Sequence, residues 1–417
     1  MTSESQSPYL VMLLSQDLNS PSGLGRYFPL AKYLVRLNYR VTILALHSNF
    51  ESENKRDFWD QGVHVRYVSQ MHVRKSGNET YYFSPVKLVQ TSINATSALY
   101  REGSKQDADL IFVGKPHPMN GMAGYWLSRR KKLPLIVDCD DYEAESNRVT
   151  KLWQKKVLKF FEMKLPRLAD LVTTNTYFMR EKLIDWGVDK EKIAYLPNGV
   201  DTERFTEPFP EMVSELRTEL SLDGKRVIGY FGSLNLTNHP VDLLIRSFKL
   251  VAEKIDDVVL LIVGGGKDLD YLVKKAEELG IKDKVIFTGR IKPDEMKVYY
   301  RLADVSVDPA NDNLADRGRC PLKLFESWQM GVPVVTSDVG DRKILAGDPP
   351  AAVLTQAGNE NDLAQKIQGV FGDLALACRL PATGLERSAH YDWSIIATKF
   401  LKEIYRLKQN DRSAREL

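Results

Sequence analysis

The sequence is poor in cysteine, in long apolar runs and in charge of one sign, and each shortage excludes a class of protein. Its three cysteines, Cys139, Cys320 and Cys378, are widely spaced and odd in number, so we expect neither a disulfide framework nor a cysteine-based zinc site. No apolar run approaches the roughly 20 residues that span a bilayer. Lysine and arginine total 58 against 55 acidic residues, and the resulting net charge of +3 argues against nucleic acid as a partner.

The amino-terminal residues 1–9 read MTSESQSPY and lack the basic-then-apolar order of a secretory signal. Together with the few cysteines, this predicts a cytoplasmic protein that is soluble or lies at most on the inner face of a membrane. Hydrophobic residues make up 43% and charged residues 27%, which is typical of a globular chain. A length of 417 residues exceeds what one hydrophobic core usually supports, so we predict two domains.

Short runs of Val, Ile and Leu alternate with segments of helical period, a pattern that indicates parallel sheets covered by helices. The pattern occurs twice. We therefore predict an α/β doubly wound domain over 1–200, a linker over 201–225, a second such domain over 226–388 and a carboxyl-terminal segment over 389–417 with a helix from Trp393 to Leu407. The predicted strands are Tyr9–Leu14, Arg40–Leu46, Val63–Val68, Ala108–Val113, Pro134–Asp138, Asp170–Thr174, Lys192–Leu196, Arg226–Phe231, Val258–Val263, Lys284–Thr288, Asp304–Asp308, Pro333–Ser337 and Ala351–Leu354.

Loops that follow predicted strands carry the candidate binding residues, because open parallel sheets bind ligands at the carboxyl ends of their strands. Two facing domains would place an active site in the cleft between two such edges. Glycines let backbone N–H groups approach an anion, although each loop could also be an ordinary turn. These glycine-containing loops hold Gly23 and Gly25 in the first half, and Gly232, Ser233, Leu234 and Gly265 in the second.

The segment from Arg319 to Pro333 is the strongest local signal. Proline at its start and glycine at its end bracket a short helix, so Leu322 and Lys323 stand where free N–H groups and an ammonium can hold a diphosphate. Glu326, one turn later, can accept hydrogen bonds from ribose hydroxyls or can simply pair with Lys323 on the helix surface.

In their order along the chain, these segments resemble the family 4 retaining glycosyltransferases of GT-B fold (glycosyl transferases group 1). The resemblance rests on Leu168–Thr173, Leu196–Asp201, Phe287–Arg290, Ala303–Val307 and Phe325–Val335. It implies two Rossmann-like domains facing across a cleft and a terminal helix that crosses back to the first domain. It also implies transfer of a sugar, with retention and without a metal, from a nucleotide-diphosphate donor in the second domain to an acceptor in the first.

Carried over residue by residue, the resemblance implies that Glu326 binds the donor ribose and that Leu322 and Lys323 meet the diphosphate. Arg290 with Ile291 would lie by the nucleotide, although Arg290 could also stay on the surface as a solvated charge. Gly23 and Gly25 would line the donor phosphate and the acceptor side. The donor would be a UDP or GDP sugar, and no other cofactor is implied.

The chain departs from the family pattern at two places. Eight positions before Glu326, where the family has a first glutamate, stands Gly318, so Asp312 or Asp316 is a candidate substitute. The family commonly shows Arg and Lys after the first strand of the donor domain, where this chain has Ser233 and then Asn238 or His239. The charge of the phosphates would then fall mainly to Lys323, with Arg290 or Arg319 assisting.

The acceptor side has three polar candidates. Many relatives carry a histidine near the end of a mid-sheet strand, where this chain has Asp138 to Glu143; Asp140 or Asp141 could orient an acceptor hydroxyl, and His117 is the alternative. Asp138-Cys139-Asp140 also spells a short acidic motif of metal-dependent transferases, but a cluster of carboxylates at a strand end explains it in this architecture, so we predict no metal site.

The acceptor is expected to be a saccharide, a polysaccharide or a lipid-linked glycan. Basic residues in 128–132 and in the predicted helix from Thr150 to Arg167 could contact anionic lipid, unless that helix packs by its aromatic face and leaves its lysines in water. The alternatives to a transferase are a GT-B sugar-nucleotide epimerase and an impaired protein that only binds a nucleotide sugar. A nicotinamide-dependent dehydrogenase is disfavoured because no strand is followed by Gly-x-Gly-x-x-Gly.

Overall fold

The computed structural model describes residues 7–77, 79–147 and 151–415. Two predictions rest partly on residues outside this described part: the lack of a secretory signal uses residues 1–6, and the predicted helix from Thr150 to Arg167 begins at Thr150. The chain forms two compact units, one made of residues 1–198 with 393–417 and the other of residues 199–392.

Within its described residues, the first unit has an eight-stranded sheet and a two-stranded hairpin. Its strands are β1 (Tyr9–Leu14), β2 (Arg40–His47), β3 (Asp57–Asp60), β4 (Val63–Gln70), β5 (Val73–Ser76), β6 (Glu79–Tyr82), β7 (Leu110–Gly114), β8 (Leu135–Cys139), β9 (Leu171–Thr174) and β10 (Ile193–Tyr195). The sheet order is β10-β9-β8-β7-β1-β2-β4-β3, and β5 pairs with β6. All neighbours in the large sheet are parallel except β3, which is antiparallel to β4.

Both faces of this sheet are covered, as the apolar strands require. Along β1, Leu10 and Met12 face one buried cluster, and Val11 and Leu13 face another on the opposite side. The helices of this part of the chain are α1 (Phe28–Arg36), α2 (Pro85–Ser104), α3 (Pro118–Lys131), α4 (Glu143–Ser146), α5 (Leu152–Leu168) and α6 (Tyr177–Asp185).

The second unit, all of whose residues are described, is a doubly wound sheet of six parallel strands in the order β13-β12-β11-β14-β15-β16. Its strands are β11 (Arg226–Phe231), β12 (Val258–Val263), β13 (Val285–Gly289), β14 (Val305–Asp308), β15 (Val334–Ser337) and β16 (Val353–Thr355). Its helices are α7 (Pro210–Glu219), α8 (Val241–Ala252), α9 (Leu269–Glu278), α10 (Met296–Leu302), α11 (Leu314–Arg317), α12 (Leu322–Gln329), α13 (Arg342–Ala346), α14 (Glu360–Gly372) and α15 (Leu374–Ala389).

The last helix, α16 (Trp393–Arg415), belongs to the first unit although it follows the second in the sequence. Trp393, Ile396, Phe400 and Ile404 recur at helical spacing and are completely buried in the same apolar cluster as Leu10. The helix therefore completes the core of the first unit.

The predicted strands all exist within one or two residues of their predicted bounds, and those of β1, β11 and β12 are confirmed to the residue. Three strands were not predicted: β3, β5 and β6 have four residues each and contain no run of Val, Ile and Leu. Residues 201–225, predicted as a linker, contain α7, which packs Val213 and Leu216 against the core of the second unit. The units divide at 198 and 392, against predicted boundaries at 200 and 388. In the described part of the chain, no helix combines the length and apolarity needed to cross a bilayer.

Candidate functional site

At the carboxyl edge of the first unit's sheet, one lysine is surrounded by carboxylates. The strand order reverses between β1 and β7, so the loops after β1, β7 and β8 diverge at this point. Lys115 directly follows β7 and has a positive φ of 65°. Its Nζ atom lies 2.9 Å from Asp140 Oδ1, 2.8 Å from Asp141 Oδ2 and 2.6 Å from Glu143 Oε1.

His117 extends this network towards β1. Its Nδ1 atom lies 2.8 Å from Ser15 Oγ, and its Nε2 atom lies 2.7 Å from Glu143 Oε2. The structure thus brings together the three candidates predicted for the acceptor side, Asp140, Asp141 and His117, through Lys115 and Glu143. Their catalytic role stays a prediction.

Burial and pairing separate the ionisation of these carboxyls. Burial raises the pKa of Asp140 to about 7, although Lys115 opposes the shift. Burial also disfavours the charged form of Glu143, but Lys115 and His117 outweigh it and hold its pKa well below the ordinary range. Near neutral pH, the carboxyl of Asp140 can therefore hold a proton while that of Glu143 stays ionised, a difference that is common in catalytic sites.

The same carboxylates have the composition of a cation site. Oxygens of Asp140, Asp141 and Glu143 lie within 4.8 Å of one another, a spacing that suits a hard divalent ion. The ammonium of Lys115 contacts all three and supplies the positive charge at that point. A metal ion at these oxygens would have to displace Lys115.

The glycine loop after β1 forms a tight π-helical turn over Gly23–Tyr27. A side chain at Gly23 would meet the carbonyl oxygen of Asp17 at 2.5 Å, so only glycine fits there. Gly25 is also buried, and the next residue, Arg26, pairs with Asp138 at 2.6 Å and donates to Asn198 Oδ1 at 3.0 Å. This buried pair joins the glycine turn to the end of β8.

In the second unit, the loops after β11 and β12 touch through their backbones. Gly264 has a φ of 143°, and a Cβ atom there would lie 1.9 Å from the carbonyl oxygen of Gly232. Leu234, buried, donates its N–H to the carbonyl oxygen of Gly265 at 3.1 Å. Three of the predicted donor residues, Gly232, Leu234 and Gly265, therefore stand in one stacked pair of loops, with Ser233 between the first two.

Lys323 lies at the start of α12, next to these loops. Its Nζ atom is 3.3 Å from Asp308 Oδ1 and 4.4 Å from the centroid of the Tyr230 ring. Arg342 holds the other oxygen of Asp308 at 2.8 Å. Burial lowers the pKa of Lys323, and its ammonium has the ion pair with Asp308 but no well-aligned hydrogen bond among the described residues. Because two buried cations share this one carboxylate, the place favours an anionic ligand.

Asp316, the predicted substitute for the missing glutamate, has both oxygens occupied. Oδ2 accepts hydrogen bonds from Asn311 N and Asn313 Nδ2 at 3.0 Å, and Oδ1 lies 2.8 Å from Arg319 Nη1. The alternative, Asp312, is half exposed and pairs with Arg317. In the structure, Asp316 therefore forms an ion pair with Arg319. The catalytic role of Asp316 stays a prediction.

Glu326 accepts a hydrogen bond from Tyr300 Oη at 2.7 Å, and the Tyr300 ring stacks on Phe231. Its predicted surface pairing with Lys323 is absent from the ion pairs of the described residues. Arg290 is exposed and makes no ion pair or hydrogen bond within the described part of the chain, while Ile291 packs partly buried against the second unit's core. Leu322 begins α12, as predicted.

Five residues of these sites were not predicted from the sequence: Lys115, Ser15, Asp308, Arg342 and Tyr300. Three of them carried a signal, because Ser15 directly follows β1, Lys115 directly follows β7 and Asp308 is the last residue of β14. Arg342 and Tyr300 come from helices, and nothing in their local sequence marks them.

Two family models match the chain. Residues 23–204 match the model described as Glycosyltransferase Family 4, and residues 225–373 match the one described as Glycosyl transferases group 1. The first match covers Lys115, His117 and the carboxylates around them, and the second covers α12 and the glycine loops after β11 and β12.

Curated relatives match part of their length. The chain is 28% identical, over 55% of its residues, to the GDP-mannose-dependent alpha-(1-6)-phosphatidylinositol monomannoside mannosyltransferase of Mycobacterium tuberculosis. It is also 28% identical, over 61% of its residues, to the alpha-monoglucosyldiacylglycerol synthase of Streptococcus pneumoniae. The matched parts span 60% and 61% of those relatives.

Among solved structures, sucrose-phosphate synthase from Thermosynechococcus elongatus superposes with a TM-score of 0.76 at 19% identity, covering 97% of this chain and 100% of that one. This likeness confirms the predicted fold, GT-B with two Rossmann-like parallel-sheet units.

Proposed function

We propose that this chain, which belongs to glycosyltransferase family 4, moves a sugar from a nucleotide-diphosphate donor to a hydroxyl of a saccharide or lipid-linked acceptor, with retention at the anomeric carbon. The second unit would bind the donor and the first unit the acceptor. The observation that carries the proposal is the buried ammonium of Lys323 beside the glycine loops, which has to share its ion partner Asp308 with Arg342.

The proposed role of the donor site is to stabilise the negative charge of the leaving diphosphate. Breaking the bond between the sugar carbon and the diphosphate leaves negative charge on the departing phosphate, and pre-placed cations stabilise that charge without reorganising. Lys323, the N–H groups at the start of α12 and neighbouring guanidinium groups would do so here, and the proposed reaction therefore uses no metal ion. Glu326, held by Tyr300, would accept hydrogen bonds from the ribose.

In the first unit, the proposed role of the Lys115 network is to orient the acceptor hydroxyl. A carboxyl whose pKa is near 7, as at Asp140, can accept a proton when the hydroxyl attacks. Asp141 is the most accessible member of the network, with 25% of its side chain exposed, and is the natural hydrogen-bond partner for the acceptor.

The test is binding of nucleoside diphosphates. In thermal-shift measurements, UDP or GDP at 100 times its dissociation constant should stabilise the protein by about 2.7 kcal/mol, and ADP serves as a comparison base. The mycobacterial relative is named for GDP-mannose, which makes GDP the first choice. If none of these nucleotides stabilises the protein, the donor assignment is wrong.

Lys323→Ala tests the proposed phosphate contact. Losing a charge-assisted hydrogen bond of about 1.5–3 kcal/mol should weaken diphosphate binding and turnover roughly 10- to 100-fold without unfolding the chain. Lys366→Ala, which removes an exposed lysine of α14, is the matched control and should leave both unchanged. Unaltered kinetics in Lys323→Ala would refute the role.

We also propose that the first unit contacts anionic lipid, through α5 and α2. Leu152, Trp153, Val157 and Phe160 are all exposed on α5, with lysines interspersed. Trp153 and Phe160 are thus exposed and not packed inward, whereas Phe161 is partly buried. On α2, Val86, Val89 and Ile93 are exposed at helical spacing. Apolar and basic residues mixed on exposed helices favour a membrane surface.

The positions of the exposed residues along α5 and α2 support a lipid contact at these two helices and not at the basic residues 128–132. Helix α5 ends just before β9 begins and α2 ends before β7, so the exposed residues in their first halves lie towards the carboxyl edge of the sheet, where the Lys115 network is. The basic residues at 128–132 end α3, just before β8 begins, and so lie towards the opposite edge. They are not part of the proposed surface.

Vesicle co-sedimentation tests the lipid contact. At low salt the protein should bind phosphatidylglycerol vesicles and not phosphatidylcholine vesicles, and the double variant Trp153→Ser, Phe160→Ser should reduce binding at least several-fold. Phe209→Ser, which removes a 74% exposed aromatic side chain of the second unit, is the control. Absence of binding to anionic vesicles at low salt would rule out the contact.

A further inference from the structure

Arg319 lies between α12 and the loop after β11, and the protein binds its guanidinium on one side only. It precedes α12, and 11% of its side chain is exposed. Its Nη1 atom lies 2.8 Å from Asp316 Oδ1 and 3.4 Å from His239 Nδ1. Its Nη2 atom is buried and has no hydrogen-bond partner among the described residues. One edge of the guanidinium is therefore fixed, and the other edge is free to donate.

The charges around Arg319 do not balance without a ligand. Lys323, Arg319 and Arg342 supply three cations, whereas Asp308 and Asp316 supply two carboxylates. His239 adds no charge, because burial and the neighbouring Arg319 and Lys323 hold its pKa well below the ordinary range. This buried group of side chains thus carries one excess positive charge.

All three of these cations also have a buried donor atom without a hydrogen-bond partner among the described residues. These atoms are Lys323 Nζ, Arg319 Nη2 and Arg342 Nη2. Leaving such donors unpaired is costly, and a ligand with several anionic oxygens would satisfy those of Lys323 and Arg319, whose side chains are 8% and 11% exposed, whereas Arg342 is completely buried. A diphosphate has its oxygens on two adjacent phosphorus atoms and can reach donors from separate elements, whereas a single phosphate reaches fewer.

We propose that Arg319 is a second cation for the donor's diphosphate, beside Lys323, and that Asp316 is a positioning residue that aims it. This inference rests on the proposed function and specifies how the site recognises its donor. The loop after β11 brings no cation of its own to this place, since Ser233 and the neutral His239 occupy it. Arg319 reaches the site from the start of α12 instead. Selectivity for a diphosphate over a monophosphate follows from having two separate cations.

Isothermal titration with GDP, GMP, UDP and UMP tests the inference. The wild-type protein should prefer the diphosphate, and Arg319→Ala should weaken diphosphate binding about 10- to 100-fold while changing monophosphate binding little. Arg319→Gln, which can still bond to Asp316, should keep the fold and show the same loss. The control is Arg317→Ala, an exposed arginine two positions away that pairs with Asp312.

Asp316→Asn tests the positioning of Arg319 separately from the charge of Arg319. It keeps an oxygen for Asn311 and Asn313 but releases Arg319, so the preference for diphosphate should fall by a smaller factor than in Arg319→Ala. Equal losses of monophosphate and diphosphate in the Arg319 variants would indicate a merely structural role and overturn the inference. Unchanged diphosphate binding in those variants would overturn it while leaving the proposed function intact. Failure of the wild-type protein to bind any diphosphate would overturn both.

Discussion

The carboxyl of Glu162 is buried on α5 without a well-placed cation. Its side chain is completely inaccessible, its Oε1 atom accepts a hydrogen bond from the Glu143 N–H at 2.6 Å, and Lys159 Nζ is 3.7 Å from Oε2. Burial raises its pKa from 4.5 to about 8, with Lys159 opposing the shift. Between these two pH values the folded chain holds a proton that the unfolded chain releases. Raising the pH therefore favours unfolding in this window, and the effect levels off above pH 8.

Glu162→Gln should remove this part of the pH dependence, because glutamine keeps the acceptor oxygen and cannot ionise. In urea titrations near pH 5 and pH 8, the wild-type free energy of unfolding should fall with a slope of at most about 1.4 kcal/mol per pH unit from this group. The variant should fall less steeply but not become flat, because Asp140, with its pKa at about 7, acts in the same direction. Glu181→Gln, on the surface, is the control, and a wild-type slope in Glu162→Gln would contradict the account.

At the scale of elements, the second unit's site depends on two loops that approach each other closely. Gly264→Ala would push a methyl group into the carbonyl oxygen of Gly232 and strain a φ of 143°. We expect a loss of roughly 2–4 kcal/mol in stability, combining overpacking and backbone strain, and a loss of diphosphate binding because the loops must separate. Thermal unfolding with and without GDP measures both effects.

Gly369→Ala is the matched control for this change. Gly369 lies inside α14, and a Cβ atom there has no heavy atom within 4 Å. The substitution should therefore stabilise the protein by about 0.5–1 kcal/mol and leave binding unchanged. If Gly264→Ala behaved in the same way, the close contact of the two loops would not matter for the site.

How far these elements could be predicted depends on the range of the interactions that form them. Strands such as β11 and β12 are mostly apolar over six residues, so their local sequence predicts them, whereas β3 is an edge strand of only four residues, two of them aspartates. The start of α12 was predictable from its bracketing proline and glycine. The ion pairs of the site were not, since Lys115 meets Glu143 and Asp308 meets Arg342 only after the chain has folded.

At the scale of the whole molecule, the first unit is built from two segments of the chain that are separated in sequence by the second unit. The first unit spans residues 1–198 but takes its last helix from 393–417, so α16 fills a core whose other residues precede the second unit entirely. The second unit has its own buried clusters and all of its strands within 199–392. A defect in α16 should therefore act on the first unit's stability and spare the donor site.

Trp393→Ala and Phe400→Ala test this separation, because each deletes a completely buried aromatic side chain of α16. Each should cost about 3–5 kcal/mol in the first unit, which is a large fraction of the roughly 5–15 kcal/mol by which native proteins are stable. Calorimetry should then show a transition that moves to lower temperature and is insensitive to GDP, beside a transition that GDP still raises. Lys402→Ala, on the exposed side of α16, should change neither transition. Loss of the GDP-dependent shift in the core variants would instead mean that the donor site requires an intact first unit.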